Sequence, residues 1–212
     1  MSYVSVSCKK ALAGLAAVLF AGMLFSAGPA QAQFSDGYKF LEAVKKKEGQ
    51  KVEDAINEPG STVINSRDVS SGQGALHIVT ARRDITWLRY LVGKGANVNI
   101  RDFDGITPLQ LATNLGWLDG GEYLVSKNAK LDEPNDTGET PLIGAVHRKD
   151  IPMMRILLKG GADPDRADNS GRSARDYAML DGENSQLVST IEQHAKPRDE
   201  VEKAKGIYGP VF

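Results

Sequence analysis

Residues 104–112 read DGITPLQLA, placing an acid, a glycine, a hydroxyl and a proline within five residues. Such a stretch serves either a site or a fold, and only copies elsewhere in the chain separate the two. Gly72, Gly105, Gly138 and Gly171 lie 33 residues apart, and the phrase around them recurs as GQGALHIV, GITPLQLA, GETPLIGA and a weaker GRSARDYA. A second phrase keeps the same interval: LVGKGANVN at 91–99, LVSKNAKLD at 124–132 and ILLKGGADPD at 156–165. Two linked phrases in register mark a repeat architecture, in which each unit packs on its neighbours.

One unit can be read from its residues. Thr107 is placed to cap a short helix, and Pro108 at the first helical position forfeits no hydrogen bond. Leu109 and Ala112, three apart, share a face. After a tight turn at Gly116, a second helix is predicted from about Leu118 through Leu124 and Val125. Two short helices bury too little alone, so units must stack. DGITPLQLA is therefore a fold element.

This phrasing resembles the ankyrin-repeat family, and exported bacterial proteins carrying such repeats in particular. The resemblance covers about residues 67–194 and implies an all-α solenoid of about five helix–turn–helix units, the outer two degenerate caps. The units are expected at about 36–68, 69–101, 102–134, 135–167 and 168–194, within a repeat domain at 33–194. In the first, Phe40, Leu41 and Val44 form one apolar face and Val52, Ala55 and Ile56 another. In the last, Tyr177, Ala178, Leu187 and Ile191 persist, while Arg175 replaces the buried leucine of Leu76, Leu109 and Leu142, as suits an open end. Gly120 and Gly121 interrupt the second helix of the third unit, Gly121 where Leu88, Met154 and Leu187 stand elsewhere. Glycine weakens helices, so this unit is expected to be the loosest. Arg83 and Lys149 replace the inter-helix glycine of Gly116 and Gly182, which suits a turn that stays right-handed.

The chain ends carry other signals. Lys9 and Lys10 precede an apolar run from Ala11 to Ala27 that closes at Ala30-Gln31-Ala32, the pattern of a signal peptide over 1–32. Its length also approaches that of a spanning helix, so a retained anchor is the competing reading. Cleavage implies a mature chain starting at Gln33 and, in a two-membrane bacterium, a periplasmic protein with no stable membrane insertion. Cys8, the single cysteine of the sequence, falls in the leader, so no disulfide is available. The sequence holds 26 basic and 27 acidic residues. Loss of Lys9 and Lys10 leaves 24 basic against 27 acidic, about −3 with histidine neutral and the signs mixed. Nothing in that balance asks for nucleic acid. A charged tail at 195–212 turns apolar at Tyr208, Val211 and Phe212 and is expected to be flexible.

Histidine is the usual carrier of neutral-pH chemistry. His77 matches the family's structural histidine, which the resemblance implies bonds to a neighbouring loop. His147 lies on the exposed side of its helix and His194 near the tail; their spacing suits no metal. DPDRADNSG at 163–171 alternates acids like a calcium loop, but Ala167 occupies a ligand position and the glycine and terminal glutamate are out of register. Those acids read as turn caps. No catalytic, cofactor or metal residues are assigned. The expected function is a non-enzymatic protein-binding or scaffold module, a monomer acting on an unidentified protein partner. A hydrolase-like alternative would use the groove around His147, Asp136 and Glu139.

The resemblance implies contact through a concave face of loop tips and first helices. Carried onto this sequence, it gives Gln73 and Arg82 in the second unit, and Arg101, Phe103, Asp104, Ile106, Asn114 and Leu115 at the third. Asp136, Thr137, Glu139, His147 and Arg148 belong to the fourth, and Asn169, Ser170 and Arg172 to the fifth. Phe103 and Ile106 are apolar at a loop tip, either as partner anchors or as packing between loops, and exposed area separates the two. Trp87 and Trp117 are expected to fill joints between units.

Overall fold

The computed structural model describes residues 35–183 and 185–195. The expected leader, its cleavage site and all but the first residue of the expected tail lie outside the described residues. Ten α-helices and no strand occur among them, in five pairs: α1 Asp36–Lys46 with α2 Gly49–Asn57, α3 Ala75–Ala81 with α4 Ile85–Gly93, α5 Pro108–Asn114 with α6 Leu118–Ser126, α7 Pro141–His147 with α8 Ile151–Gly160, and α9 Ala174–Leu180 with α10 Gln186–His194. A short 3₁₀ turn, Val63–Asn65, follows α2. The first helices α3, α5, α7 and α9 start 33 residues apart. Each packs on the next, as α4, α6, α8 and α10 do in a second row. Among the described residues no helix is long and apolar enough to cross a membrane.

The starts are capped as the phrase predicts. Thr107 Oγ1 accepts from the Gln110 N–H at 3.2 Å, and Thr140 Oγ1 from Ile143 at 3.3 Å, each followed by proline at the first helical position. Such a cap satisfies one of the otherwise orphaned amides and is worth about 1 kcal/mol. Leu76, Leu109 and Leu142 are buried in one column, with Val79, Ala112 and Ala145 beside them. At the open end Arg175 keeps the register but turns outward, its Nε 2.7 Å from Asp165 Oδ1.

Units are also joined by polar side chains. The buried His77 accepts the Gly74 N–H on Nδ1 at 3.1 Å, which leaves Nε2–H to donate to the Ile106 carbonyl at 2.9 Å. Burial holds its pKa below the ordinary histidine value. In the next unit Gln110 stands in the same place and makes the same bridge, Nε2 donating to Glu139 O at 2.7 Å. Gln110 Oε1 has no partner among the described residues, so the second bond of the ring is not copied.

One expectation is corrected, and so is the premise of a second. The inter-helix turn is left-handed in every unit: φ is 58° at Lys47, 55° at Arg83, 63° at Gly116, 54° at Lys149 and 108° at Gly182. The three cationic side chains there reach the following unit, Lys47 to Asp84, Arg83 to the Leu115 carbonyl and Lys149 to Asp181. A cross-unit bond thus offsets the cost of a left-handed non-glycine residue. The third unit is not hollowed by its glycines either. α6 runs unbroken through Gly120 and Gly121, both buried. A Cβ on Gly120 would sit 2.1 Å from the Trp117 ring, and one on Gly121 2.8 Å from Met153 Cε. The missing side chains are the space those two groups fill, and Trp117 is itself buried.

Candidate partner-binding face

The loops between units are closed by carboxyl and carboxamide oxygens. Asp102 Oδ1 accepts from Asp104 and Ile106, Asn135 Oδ1 from Thr137 and Glu139, and Asp168 Oδ1 from Ser170 and Arg172, at 2.8–3.2 Å. The Ser170 hydroxyl and then the Tyr177 hydroxyl hold the Asp168 carboxyl well below the usual carboxylate range. Asp68 is pulled down to about 2, chiefly by Ser70. The acids of DPDRADNSG are occupied in the same way: Asp163 receives the Asp165 N–H, and Asp165 pairs with Arg175.

Successive tips then bond to one another through the backbone. The Phe103 N–H donates to Ser71 O at 3.0 Å, Asp136 to Asp104 O at 3.0 Å and Asn169 to Thr137 O at 3.2 Å. The tips therefore form one continuous ladder, which fixes the spacing of whatever side chains they carry. Gln73, Asp104, Asp136, Thr137, Asn169, Ser170 and Arg172 stand exposed along or beside it. Phe103 is 56% exposed, its ring beneath the Arg67 guanidinium at 5.2 Å and close against Gly72. Ile106 is half-buried, with its carbonyl taken by His77. The two apolar tip residues thus divide, Phe103 outward and Ile106 into the loop packing. Val69, 90% exposed at the tip before Phe103, is a further apolar group that the sequence reading passed over. Its signal was a valine between Asp68 and Ser70 in a turn.

Other members of the expected set are committed within the stack. Arg82 Nη1 donates to Val44 O at 2.6 Å and the side chain is mostly covered, so it ties α1 to α3. Arg101 bridges Glu133 at 3.0 Å and Asp136 at 3.8 Å. Leu115 is half-buried and lends its carbonyl to Arg83. Trp87 lies half-buried on α4, edge-on to Tyr90 at 5.9 Å and under Arg82.

On the first helices of the last two units a connected group forms. His147 Nδ1 lies 3.2 Å from Glu139 Oε1, and its ring meets Tyr177 edge-on at 4.4 Å. Tyr177 donates to Asp168 Oδ2 at 2.7 Å, and Ser170 Oγ is 3.2 Å from its hydroxyl. Of the hydrolase-like set, His147 and Glu139 meet, whereas Asp136 turns to Arg101. Ser170 is held by Asp168 rather than by the imidazole, so among the described residues no hydroxyl hydrogen-bonds to the histidine as a nucleophile needs. Tyr177 was read from sequence as core; it is half-buried, with its hydroxyl in this polar group.

The family profile described as Ankyrin repeat matches residues 71–103 and 137–169. Protein phosphatase 1 regulatory subunit 27 of Mus musculus is 37% identical over 84 residues, 37% of this chain and 54% of that protein. B-cell lymphoma 3 protein homolog of Mus musculus is 30% identical over 108 residues, 49% of this chain and 24% of the relative. Serine/threonine-protein kinase 12 of Arabidopsis thaliana is 31% identical over 107 residues, 50% of this chain but 23% of the kinase. The chain spans between about a quarter and about half the length of these curated relatives. Helix pairs at a 33-residue interval, bonded loop tips and these likenesses together make the chain an ankyrin-repeat protein.

Proposed function

We propose that this protein is a non-enzymatic binding module that docks a protein partner on its loop tips and first helices, in an extracytoplasmic compartment. Ankyrin repeats are interaction modules, and the observation that carries the reading here is Phe103, 56% exposed on a tip whose backbone is bonded to the tip before it. A rigidly mounted aromatic framed by charge loses little entropy on binding, which is the usual make-up of an interface anchor. The leader pattern at 1–32 supports export, to the periplasm where the source has two membranes.

The test is Phe103→Ser in the mature chain, with circular dichroism and partner capture from an envelope extract read together. Capture should fall at least tenfold, about 1.4 kcal/mol, with the helical spectrum unchanged. Unaltered capture by a folded variant removes this surface from the reading. Export has its own test: intact mass should begin at Gln33 in the soluble envelope fraction, whereas a membrane-bound product retaining 1–32 overturns it.

A further inference from the structure

Gly144, on the first helix of the fourth unit, replaces the larger Ile78, Leu111 and Tyr177 of the others. A Cβ there would lie 3.2 Å from Asn114 Oδ1 and 3.4 Å from Glu139 Oε1, so its absence lets both side chains lie across the helix. Asn114, Glu139, His147 and Tyr177 thereby line one polar patch running from α5 across α7 to α9.

The charges of this patch are unevenly spent. Glu139 faces His147, Asp136 faces Arg101, Asp168 is filled by Ser170 and Tyr177, and Asp176 is filled by Ser173. Arg148 and Arg172 are both exposed, and neither forms an ion pair among the described residues. The Arg172 guanidinium rests over the Tyr177 ring at 5.9 Å and helps lower Asp176 only from longer range. Arg148 reaches back over Gly116, where a Cβ would come 3.2 Å from its Nη2. Two guanidiniums on this face, one over Gly116 and one over Tyr177, thus stand without an ion pair among the described residues, while Glu139, Asp136, Asp168 and Asp176 have partners.

We propose that this patch selects an acidic peptide segment. This rests on the partner-binding reading and names the chemistry of the partner. Carboxylates of the segment pair with Arg148 and Arg172, whose planar forks suit bidentate recognition, and the Asn114 carboxamide serves the peptide backbone.

The probe is a short extended peptide of alternating glutamate and serine, set against its glutamine isostere, with histidine ring and side-chain amide NMR signals as readout. The glutamate peptide should shift His147 and Asn114, leave the buried His77 unmoved, and weaken as salt rises. Arg148→Ala with Arg172→Ala should reduce its affinity at least tenfold. Arg175→Ala, which removes a guanidinium already paired with Asp165, should change it less than twofold. Equal binding of the two peptides, binding of neither, or full binding by the double variant overturns the proposal. Should it fall while Phe103→Ser still abolishes capture, partner binding stands and only the acidic selectivity is lost.

Discussion

The third and fourth repeats solve one packing problem with different residues. In the fourth, Asp150 caps α8 by accepting from Met153, and Met153 and Met154 fill the core from the helix itself. In the third, the equivalent cap is Trp117, which makes no side-chain cap bond, and the two equivalent core positions are Gly120 and Gly121. The indole folds from the cap position over Gly120, and Met153 of the next repeat covers Gly121. One repeat has exchanged a polar cap worth about 1 kcal/mol for a large apolar group placed at the helix entrance. The repeat interval thus determines where the backbone goes, while the volume at each joint is shared between positions and even between repeats.

That exchange can be broken directly. Trp117→Asp, copying the fourth repeat, should lower stability by about 3 kcal/mol, since loss of a buried tryptophan outweighs the regained cap. Gly120→Met alone drives a side chain into the indole and should cost about 2 kcal/mol. Together they should recover most of the loss, because the methionine then occupies the vacated space. Urea denaturation of the four proteins gives the coupling energy. Additive losses would mean that ring and glycine are independent. Amide exchange sharpens the same point: the Leu124 amide in α6 should exchange no faster than the Leu157 amide in α8, and faster exchange through α6 would restore the loose-repeat expectation.

What the sequence made legible follows this division. Helix starts at Thr107 and Thr140, the buried leucine column, and the outward Arg175 all depend on one position repeated at a fixed interval. The role of Gly120 depends on the rotamer of a residue three places earlier, and that of Gly121 on a residue of another repeat; periodicity carries neither. The turn at Arg83 and Lys149 was misread because the residue type was weighed without the long side chain that reaches the following repeat. In the candidate face, loop and helix positions were legible from the resemblance, but not how each is spent. Arg82 and Arg101 hold the stack, and Tyr177 joins His147 to Asp168 only once α7 and α9 are side by side.

His77 and Gln110 offer a smaller contrast. Both bridge to the next loop, but only the histidine titrates. Its folded pKa lies below the ordinary value of about 6.5, so between the two the unfolded chain binds more protons. The stability from this site is therefore complete above about pH 6.5 and declines as pH falls below it. His77→Gln, which copies the third repeat, should fold and flatten the change in urea midpoint between about pH 7.5 and about pH 5.5. An unaltered pH slope in the variant would place the titrating group elsewhere. The lowered carboxyls of Asp68 and Asp168 act in a separate window, their contribution present above about pH 4 and lost as pH falls toward their folded values.

The smallest effect is expected at the inter-helix turns, where Gly116 and Lys149 hold the same left-handed conformation. Lys149→Gly removes about 1 kcal/mol of backbone strain. It also loses the exposed contact with Asp181, worth about 0.5 kcal/mol, and adds a similar entropy cost through a more flexible unfolded chain. Those contributions cancel to within about 0.5 kcal/mol. Lys149→Ala keeps the strain and loses the contact, so it should be the worse of the two. The reverse exchange, Gly116→Lys, is not symmetric: it adds strain and crowds the Arg148 guanidinium, which lies 3.2 Å from the required Cβ. It should cost about 1 kcal/mol, and it should also disturb binding of the glutamate peptide if Arg148 is a recognition group. A urea midpoint for Lys149→Ala equal to that of the unaltered protein would show that the Lys149 side chain contributes nothing across the repeat.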